Sequence, residues 1–203
     1  LGVSFGPFSL LGQTEFYANW GHGFHSSDAR GATARINPQD GSTAEAVPLI
    51  VKAKGSELGL RAAPLPGWNS SLSLWQMALA SELVFIGDAG VTEPKGASRR
   101  HGVEWSNFIT LAEGIIIDTD LAWSQARFNA PNPDNAGRHV PNAIPFTASL
   151  AFTADRGGPW FGGLRLRYLG AYALEETGTQ KSSAFWMANL KAGYRMSPTL
   201  QLT

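Results

Sequence analysis

The stretch Ile115–Phe128, IIIDTDLAWSQARF, decides the fold class of this chain. Read in steps of two, Ile117 and Leu121 fall on one side of it, and Asp118 and Asp120 fall on the other. Because successive side chains of a strand point to opposite faces, this stretch is predicted to be a strand with one apolar and one acidic face. The apolar face would cover a core in a soluble sheet and would contact lipid in a transmembrane barrel.

The composition of the 203 residues excludes several classes of protein. The 16 Lys and Arg residues balance the 16 Asp and Glu residues, so no nucleic-acid partner is expected, because such a partner usually requires a basic excess. Cysteine is absent, which removes disulfides, zinc–thiolate sites and thiol catalysis. No apolar run approaches the roughly 18 residues of a transmembrane helix. The chain begins without Met or a signal-peptide core, and it is expected to be a fragment of a longer protein.

The same alternation recurs along the whole chain. It predicts further strands at Thr14–Phe24, Lys52–Ala62, Ser71–Phe85, Arg99–Ile109, Pro145–Thr153, Trp160–Gly170 and Ala184–Met196. With shorter pieces at both ends, the pattern predicts about ten strands and no helix. The expected fold class is therefore all-β, with antiparallel up-and-down strands.

One of these strands, Ser71–Phe85, has an ambiguous pattern. Trp75, Met77 and Leu79 are predicted to form its apolar face. Leu72 and Leu74 fall on the opposite parity, so a β-bulge or a change of environment near the turn is expected.

The predicted connections alternate between short and long. The short ones include Pro64–Gly67 and Asp155–Gly158, and the long ones include His25–Pro48 and Asn129–Ala143. An outer-membrane barrel has short periplasmic turns and long extracellular loops, whereas a sandwich has no reason to alternate in this way. Aromatic residues near both kinds of connection predict two interfacial belts: Trp68, Trp160 and Phe161 near short turns, and Trp20, Phe24, Phe128, Tyr172 and Phe185 near long loops.

Charged residues of both signs share the polar parity of the predicted strands. Burying them in a dry core would cost several kcal/mol each unless they were paired, so we expect them to line a wet or plugged lumen. The predicted lumen-facing residues are Glu15, Glu57, Arg61, Arg100, Glu104, Asp118, Asp120, Arg165, Arg167, Lys191 and Arg195.

Five stretches together are similar to one family. EFYANWGHGFHSSDARG, KGSELGLRAAPLPG, SELVFIGDAG, SRRHGVEW and FGGLRLRYLG occur, in this order, at Glu15–Gly31, Lys54–Gly67, Ser81–Gly90, Ser98–Trp105 and Phe161–Gly170. They resemble the C-terminal half of the barrel of TonB-dependent outer-membrane receptors. The resemblance covers nearly the whole chain, residues 1–203. It implies a barrel of about 22 strands, of which this chain would form roughly strands 12 to 21.

The resemblance implies a receptor in the bacterial outer membrane that takes up a scarce ligand, such as an iron–siderophore complex, haem or cobalamin. It implies contacts with outer-membrane lipid, with the protein's own N-terminal plug domain and with the TonB complex, which supplies the energy. The plug and the TonB box do not lie in this sequence, and no cofactor is implied.

Four residues in or near the long loops are candidate ligand contacts: His25, Asp28, Arg30 and His139. His22 and His25 are three positions apart on a strand, so they point to opposite faces and are not expected to share a metal ion. No metal site is predicted.

Catalytic residues are not predicted either. Asp118 and Asp120 could form a carboxylate pair for acid–base chemistry, but they are expected to pair with Arg100, Arg165 or Arg167 on other strands. The chain contains no GxSxG or HExxH motif, and no Ser/His/Asp arrangement with a mechanism behind it.

Three alternatives remain open at this point. A soluble carbohydrate-binding β-sandwich would use its Trp residues to stack on sugars, which would explain the 7 Trp residues. A passive, porin-like outer-membrane barrel would share the strand pattern. An outer-membrane enzyme would need a catalytic set at one rim of the barrel.

Overall fold

The computed structural model of the chain describes residues 1–26, 33, 35–36, 41–43, 48–86 and 91–203, and within these ranges it contains twelve strands. They are β1 (Gly2–Ser9), β2 (Gln13–Ser26), β3 (Ile50–Leu65), β4 (Trp68–Leu79), β5 (Glu82–Ile86), β6 (Val91–Lys95), β7 (Ser98–Ala112), β8 (Ile115–Phe128), β9 (Phe146–Ala154), β10 (Trp160–Leu169), β11 (Phe185–Ser197) and β12 (Leu200–Leu202).

Ten of the strands in the described ranges form one antiparallel sheet in the order β1-β2-β3-β4-β7-β8-β9-β10-β11-β12. β5 and β6 form a separate hairpin within the connection from β4 to β7. The all-β, antiparallel prediction is therefore confirmed. In the part of the chain that the structure describes, no helix is long and apolar enough to cross a membrane.

The register of the sheet gives it two chemically different faces. Trp105 on β7 lies opposite Leu121 on β8, and Leu121 lies opposite Ala148 on β9. We call the side with these residues the apolar face. We call the other side the polar face; it carries Asp120, which lies opposite Ser149 on β9.

The apolar face is not covered by any other layer of the described chain. Leu58, Leu74 and Leu190 are 61%, 53% and 81% exposed, respectively. A soluble sheet would bury this side against a core, and an apolar surface of this extent normally marks contact with another partner or with a membrane.

The predicted faces of β4 are wrong. Its register with β3 and β7 is unbroken from Ser70 to Leu79, so Leu74 lies on the apolar face and Trp75 on the polar face, with no bulge between them. The polar face accommodates the indole because Gly102 lies opposite Trp75: a Cβ atom at Gly102 would come within 2.7 Å of the Trp75 ring.

The predicted strand Ser71–Phe85 is also too long, because β4 ends at Leu79. The chain then enters β5, where Glu82 is held by Arg100 and Ser98 of β7. These side-chain bonds draw the chain over the polar face, so the strand does not continue in the sheet.

The connections alternate between short and long, as predicted. Short turns occupy residues 10–12, 66–67, 113–114, 155–159 and 198–199, and the long connections occupy residues 27–49, 80–97, 129–145 and 170–184. The short turns lie at one end of the strands and the long connections at the other. We call these two ends the short-turn end and the long-loop end. Gly114 shows how tight the short-turn end is: its φ is 71°, and a Cβ atom there would lie 1.8 Å from the backbone oxygen of Asp155.

Candidate ligand-binding face and loops

Ion pairs connect strands across the polar face. Arg61 on β3 contacts Glu15, which lies directly opposite on β2, at 3.2 Å. Arg165 on β10 reaches over the small residue Ala151 to Asp118 on β8, at 3.4 Å. The pairing predicted between Asp118 and an arginine on another strand is therefore present.

A second group of polar contacts surrounds Tyr17 on β2. The Tyr17 hydroxyl donates a hydrogen bond to Glu57 at 2.9 Å, and the Asn19 side chain donates to the same carboxylate at 3.4 Å. The Arg61 guanidinium lies over the Tyr17 ring, 4.6 Å from its centroid. The ring also covers Gly59, where a Cβ atom would come within 2.4 Å of it. These contacts fix the Glu57 carboxylate in place.

The Phe161 ring contacts two cationic side chains of the polar face near the short-turn end. It covers Gly193, and the guanidinium of Arg195 and the ammonium of Lys191 lie 4.5 Å and 5.8 Å from its ring centroid. Phe161 therefore lies on the polar face and is not a member of the predicted aromatic belt.

Arg195 also anchors the turn between β9 and β10. It donates two hydrogen bonds to the Asp155 carboxylate, at 2.9 and 2.6 Å. The hydrogen bond from Arg195, together with one from the Gly157 backbone N–H, lowers the pKa of Asp155 below its ordinary value.

Four exposed charged residues of the polar face have no ion-pair partner within the described ranges: Glu104, Asp120, Arg167 and Lys191. Asp120 and Arg167 share one row, with Ser149 between them, so their backbones are about 10 Å apart at the usual strand spacing. This open pair can accept contacts from another molecule or segment.

Arg100 does not pair with Asp118 or Asp120, which was one of the predicted alternatives. It forms a two-pronged ion pair with Glu82 of β5, at 2.7 and 2.9 Å, and Ser98 donates a hydrogen bond to the same carboxylate. Near this pair, Val84, Phe128 and Val140 form a small buried apolar cluster. Phe128 therefore supports the loops and is not part of an aromatic belt.

Glu176, in the connection from β10 to β11, joins three long connections. Its carboxylate lies 3.0 Å from the ammonium of Lys95, which ends β6. Its other oxygen accepts a hydrogen bond from Asn132, in the connection from β8 to β9, at 2.5 Å. Its backbone oxygen accepts the His139 N–H at 2.8 Å. We call this group the loop assembly.

The Glu176 carboxylate is ionised despite its burial. The side chain belongs to a residue only 8% exposed, and burial acts to raise the pKa. The hydrogen bond and the positive charge of Lys95, together with a hydrogen bond from Asn132, outweigh the effect of burial. The pKa of Glu176 is therefore lowered. An ionised carboxylate with this set of donors holds the three connections in one arrangement.

The neighbouring Glu175 orders its own loop. Its carboxylate accepts backbone N–H groups of Thr177, Thr179 and Gln180 at 2.7, 2.8 and 3.0 Å. The Thr177 hydroxyl also donates to it at 2.7 Å. The hydrogen bond from this hydroxyl, followed by that from the Gln180 N–H, lowers the pKa of Glu175 from 4.5 to about 2.

The lowered pKa of Glu175 predicts how this loop responds to acid. Because the folded-state pKa is below the ordinary value of 4.5, the stabilising contribution of Glu175 is fully present above that pH and is lost as the pH falls towards about 2. We expect the ¹³C carboxyl resonance of Glu175 to titrate near pH 2, and Thr177→Val to move its midpoint upward. A midpoint unchanged by Thr177→Val would contradict the assigned role of the hydroxyl.

The four predicted ligand contacts lie in different settings. Asp28 and Arg30 lie outside the described residues. His25 is exposed on the polar parity of β2, opposite Val51, whereas His22 is on the other face. The ring Nδ1 of His139 lies 3.2 Å from the Glu176 backbone oxygen, so this half-buried side chain contributes to the loop assembly.

The importance of Glu176 could not be predicted from the sequence, because its partners lie in three different connections and no spacing signals them. No metal-binding cluster of three His, Cys, Asp or Glu side chains occurs among the residues that the structure describes.

The sequence matches the family model described as TonB dependent receptor-like, beta-barrel, over residues 1–203. The chain belongs to this family. No curated protein sequence matches it significantly. Members of this family are transport receptors and not enzymes.

Solved structures of such receptors share the fold of the chain. The ferric-catecholate import receptor Fiu from E. coli K12 matches with a TM-score of 0.70 and 17% identity, over 98% of this chain and 29% of its own. A mutant of the ferric enterobactin receptor PfeA from Pseudomonas aeruginosa matches with a TM-score of 0.69 and 12% identity, over 98% and 32%. The copper transporter OprC matches with a TM-score of 0.66 and 17% identity, over 93% and 30%. The chain thus spans about a third of these receptors.

Proposed function

We propose that this chain forms the wall, part of the lumen lining and extracellular loops of a bacterial outer-membrane receptor that imports a scarce metal chelate with energy from TonB. The observation that carries the proposal is the sheet itself: one face is apolar and uncovered, and the other carries charges of both signs. In the bilayer the apolar face contacts lipid, and the polar face lines the lumen.

The class of ligand is supported by the receptors that share the fold. Two of them are described as receptors for ferric chelates and one as a copper transporter. On this proposal the long-loop end is extracellular and captures the ligand. His25, Asp28 and Arg30 are the proposed ligand contacts there, while His139 supports the loop assembly from within.

The proposal also assigns a role to unpaired charged residues of the polar face, namely contact with the plug domain. Glu104, Asp120 and Arg167 are exposed towards the lumen, where the plug domain of the complete receptor would contact them. The paired residues, such as Arg61 with Glu15, are proposed to stiffen the wall.

The alternatives fit the structure less well. A soluble sandwich needs a second sheet packed on the apolar face, and the described part of the chain provides none. A passive porin-like barrel is also compatible with the sheet. Unlike the proposed receptor, it would take up its ligand without energy from TonB.

The test measures uptake of a radiolabelled ferric catecholate by cells that express the full-length protein. We expect uptake in cells with TonB, and background uptake in otherwise identical cells that lack TonB. Uptake that is the same in both strains would overturn the coupling and favour a passive barrel.

A further inference from the structure

A row of basic side chains crosses the apolar face near its long-loop end. The register places His22 on β2 opposite Lys54 on β3, and Arg99 on β7 opposite Arg127 on β8. Ala78 on β4 lies between Lys54 and Arg99 in the same row. We call His22, Lys54, Arg99 and Arg127 the basic row; it extends over about 19 Å at the usual strand spacing.

The middle of the basic row, at Ala78 on β4, is close to the loop-side edge of the expected apolar band. On β4, Trp68 at the short-turn end and Ala78 in the row are ten positions apart. A strand that rises about 3.3 Å per residue at a tilt of about 45° climbs about 23 Å over that distance, close to the ~25 Å apolar band of an outer-membrane barrel. The middle of the row therefore lies where the hydrocarbon ends on the loop side. Because a row perpendicular to strands tilted by about 45° is itself inclined, its two ends lie about 7 Å above and below that level.

Beneath the row, towards the short-turn end, the apolar face carries the mixture of aromatic and polar side chains that a membrane interface contains. The next register row consists of Trp20, Ser56, Gln76, His101 and Gln125. Trp20 packs on His22 with ring centroids 4.8 Å apart, and Trp123 meets His101 edge-on at 5.8 Å. Towards the short-turn end, aliphatic residues such as Leu121 and Leu58 follow. The order from aliphatic residues, through aromatic and uncharged polar residues, to basic residues is expected on a surface that passes from hydrocarbon into headgroups.

The charge on this face has one sign only. Among the described strand residues on the apolar face, the Lys and Arg residues are Lys52, Lys54, Arg99 and Arg127, and Asp and Glu are absent. None of the four cations has an ion-pair partner within the described ranges. On the polar face, by contrast, cations such as Arg61 and Arg165 are paired with carboxylates of other strands.

Arg99 and Arg127 are the most informative pair of the row. Like charges directly opposite each other on adjacent strands destabilise a sheet. An anion shared between the two guanidinium groups removes that repulsion, and guanidinium groups bind phosphate with paired hydrogen bonds. The pair is therefore suited to a phosphate group from outside the chain.

We propose that the basic row binds the phosphate groups of an anionic lipid in the outer leaflet of the membrane. The proposal rests on the proposed function, because it requires the apolar face to contact lipid. A lipid headgroup is the occupant that fits, since the row lies on the lipid side and at the edge of the apolar band.

The test measures lipid binding to the full-length protein in detergent micelles by native mass spectrometry. The probes are a bisphosphorylated lipid A and the same lipid without its phosphates. We expect the triple variant Lys54→Gln, Arg99→Gln, Arg127→Gln to bind the phosphorylated lipid at least about tenfold more weakly than the parent protein. A matched control, Arg156→Gln, Arg165→Gln, Lys191→Gln, removes the same charge from a turn and from the polar face and should bind as the parent protein does.

Two results would overturn the proposal. One is equal binding of the phosphorylated lipid by the triple variant and the parent protein. The other is complete displacement of the lipid by inorganic phosphate at the same concentration, which would assign the row to the free ion.

A separate measurement tests the proposed function. Lipids with brominated acyl chains should quench Trp105, as judged from the difference between the parent protein and Trp105→Phe. Absence of quenching would refute lipid contact by the apolar face, whereas quenching with unchanged headgroup binding would refute only the basic row.

Discussion

Replacing Leu121 by arginine is expected to lower the free energy of unfolding of the full-length barrel in a bilayer by about 2–4 kcal/mol. Leu121 lies near the middle of β8 on the apolar face, between Trp105 and Ala148. A cation at that depth has no carboxylate beside it, and it must be moved out of water into hydrocarbon. Leu190→Arg on β11, where the side chain is 81% exposed, should have a similar cost.

The matched control is Ala122→Arg, the next position of the same strand. Ala122 lies on the polar face, opposite Glu104 and Thr147, so the new guanidinium meets water and a carboxylate. Urea-induced unfolding in bilayers should show the control close to the parent protein. Equal stability of Leu121→Arg and Ala122→Arg would refute the assignment of the two faces.

Glu176→Gln is expected to open the loop assembly. The substitution keeps the shape of the side chain but removes the charge that holds Lys95 at 3.0 Å and strengthens the bond from Asn132. Hydrogen bonds to a charged group contribute about 1.5–3 kcal/mol each, so a loss of about 2–3 kcal/mol in the local opening free energy is expected.

Hydrogen exchange in the intact receptor measures that loss. The amides of His139 and Asn142 donate to backbone oxygens of the neighbouring connection, so they should exchange faster in Glu176→Gln. Glu113→Gln, in the exposed turn between β7 and β8, is the control and should leave both amides unchanged. Unchanged exchange in Glu176→Gln would mean that the connections are held together without this carboxylate.

The sequence predicted the fold well where chemistry marks both faces of a strand. In β8 the acidic pair Asp118 and Asp120 opposes apolar neighbours, so period-two alternation has a single interpretation. In β4 apolar residues occupy both parities, since Leu72 and Leu74 oppose Trp75, Met77 and Leu79. The choice there depends on the space above Gly102 of the neighbouring strand, and only the register shows it.

The candidate site was less predictable than the wall for the same physical reason. Strand faces follow from local periodicity, but the loop assembly depends on contacts between residues that are far apart in the chain. Asn132 and Glu176 are 44 positions apart, and neither lies in a periodic segment. The sequence could propose His139 as a ligand contact, but it could not show that the ring faces the backbone of another connection.

The meeting of three connections at Glu176 limits how the specificity of such a receptor can be changed by recombination. A chimera that exchanges only residues 129–145 for those of another receptor would remove Asn132 and His139 and leave a buried carboxylate with fewer donors. An exchange of residues 170–184 alone would instead leave Lys95 facing a foreign loop. The smallest graft that preserves the loop assembly comprises all three connections together. Functional chimeras should therefore carry all three connections from the same receptor.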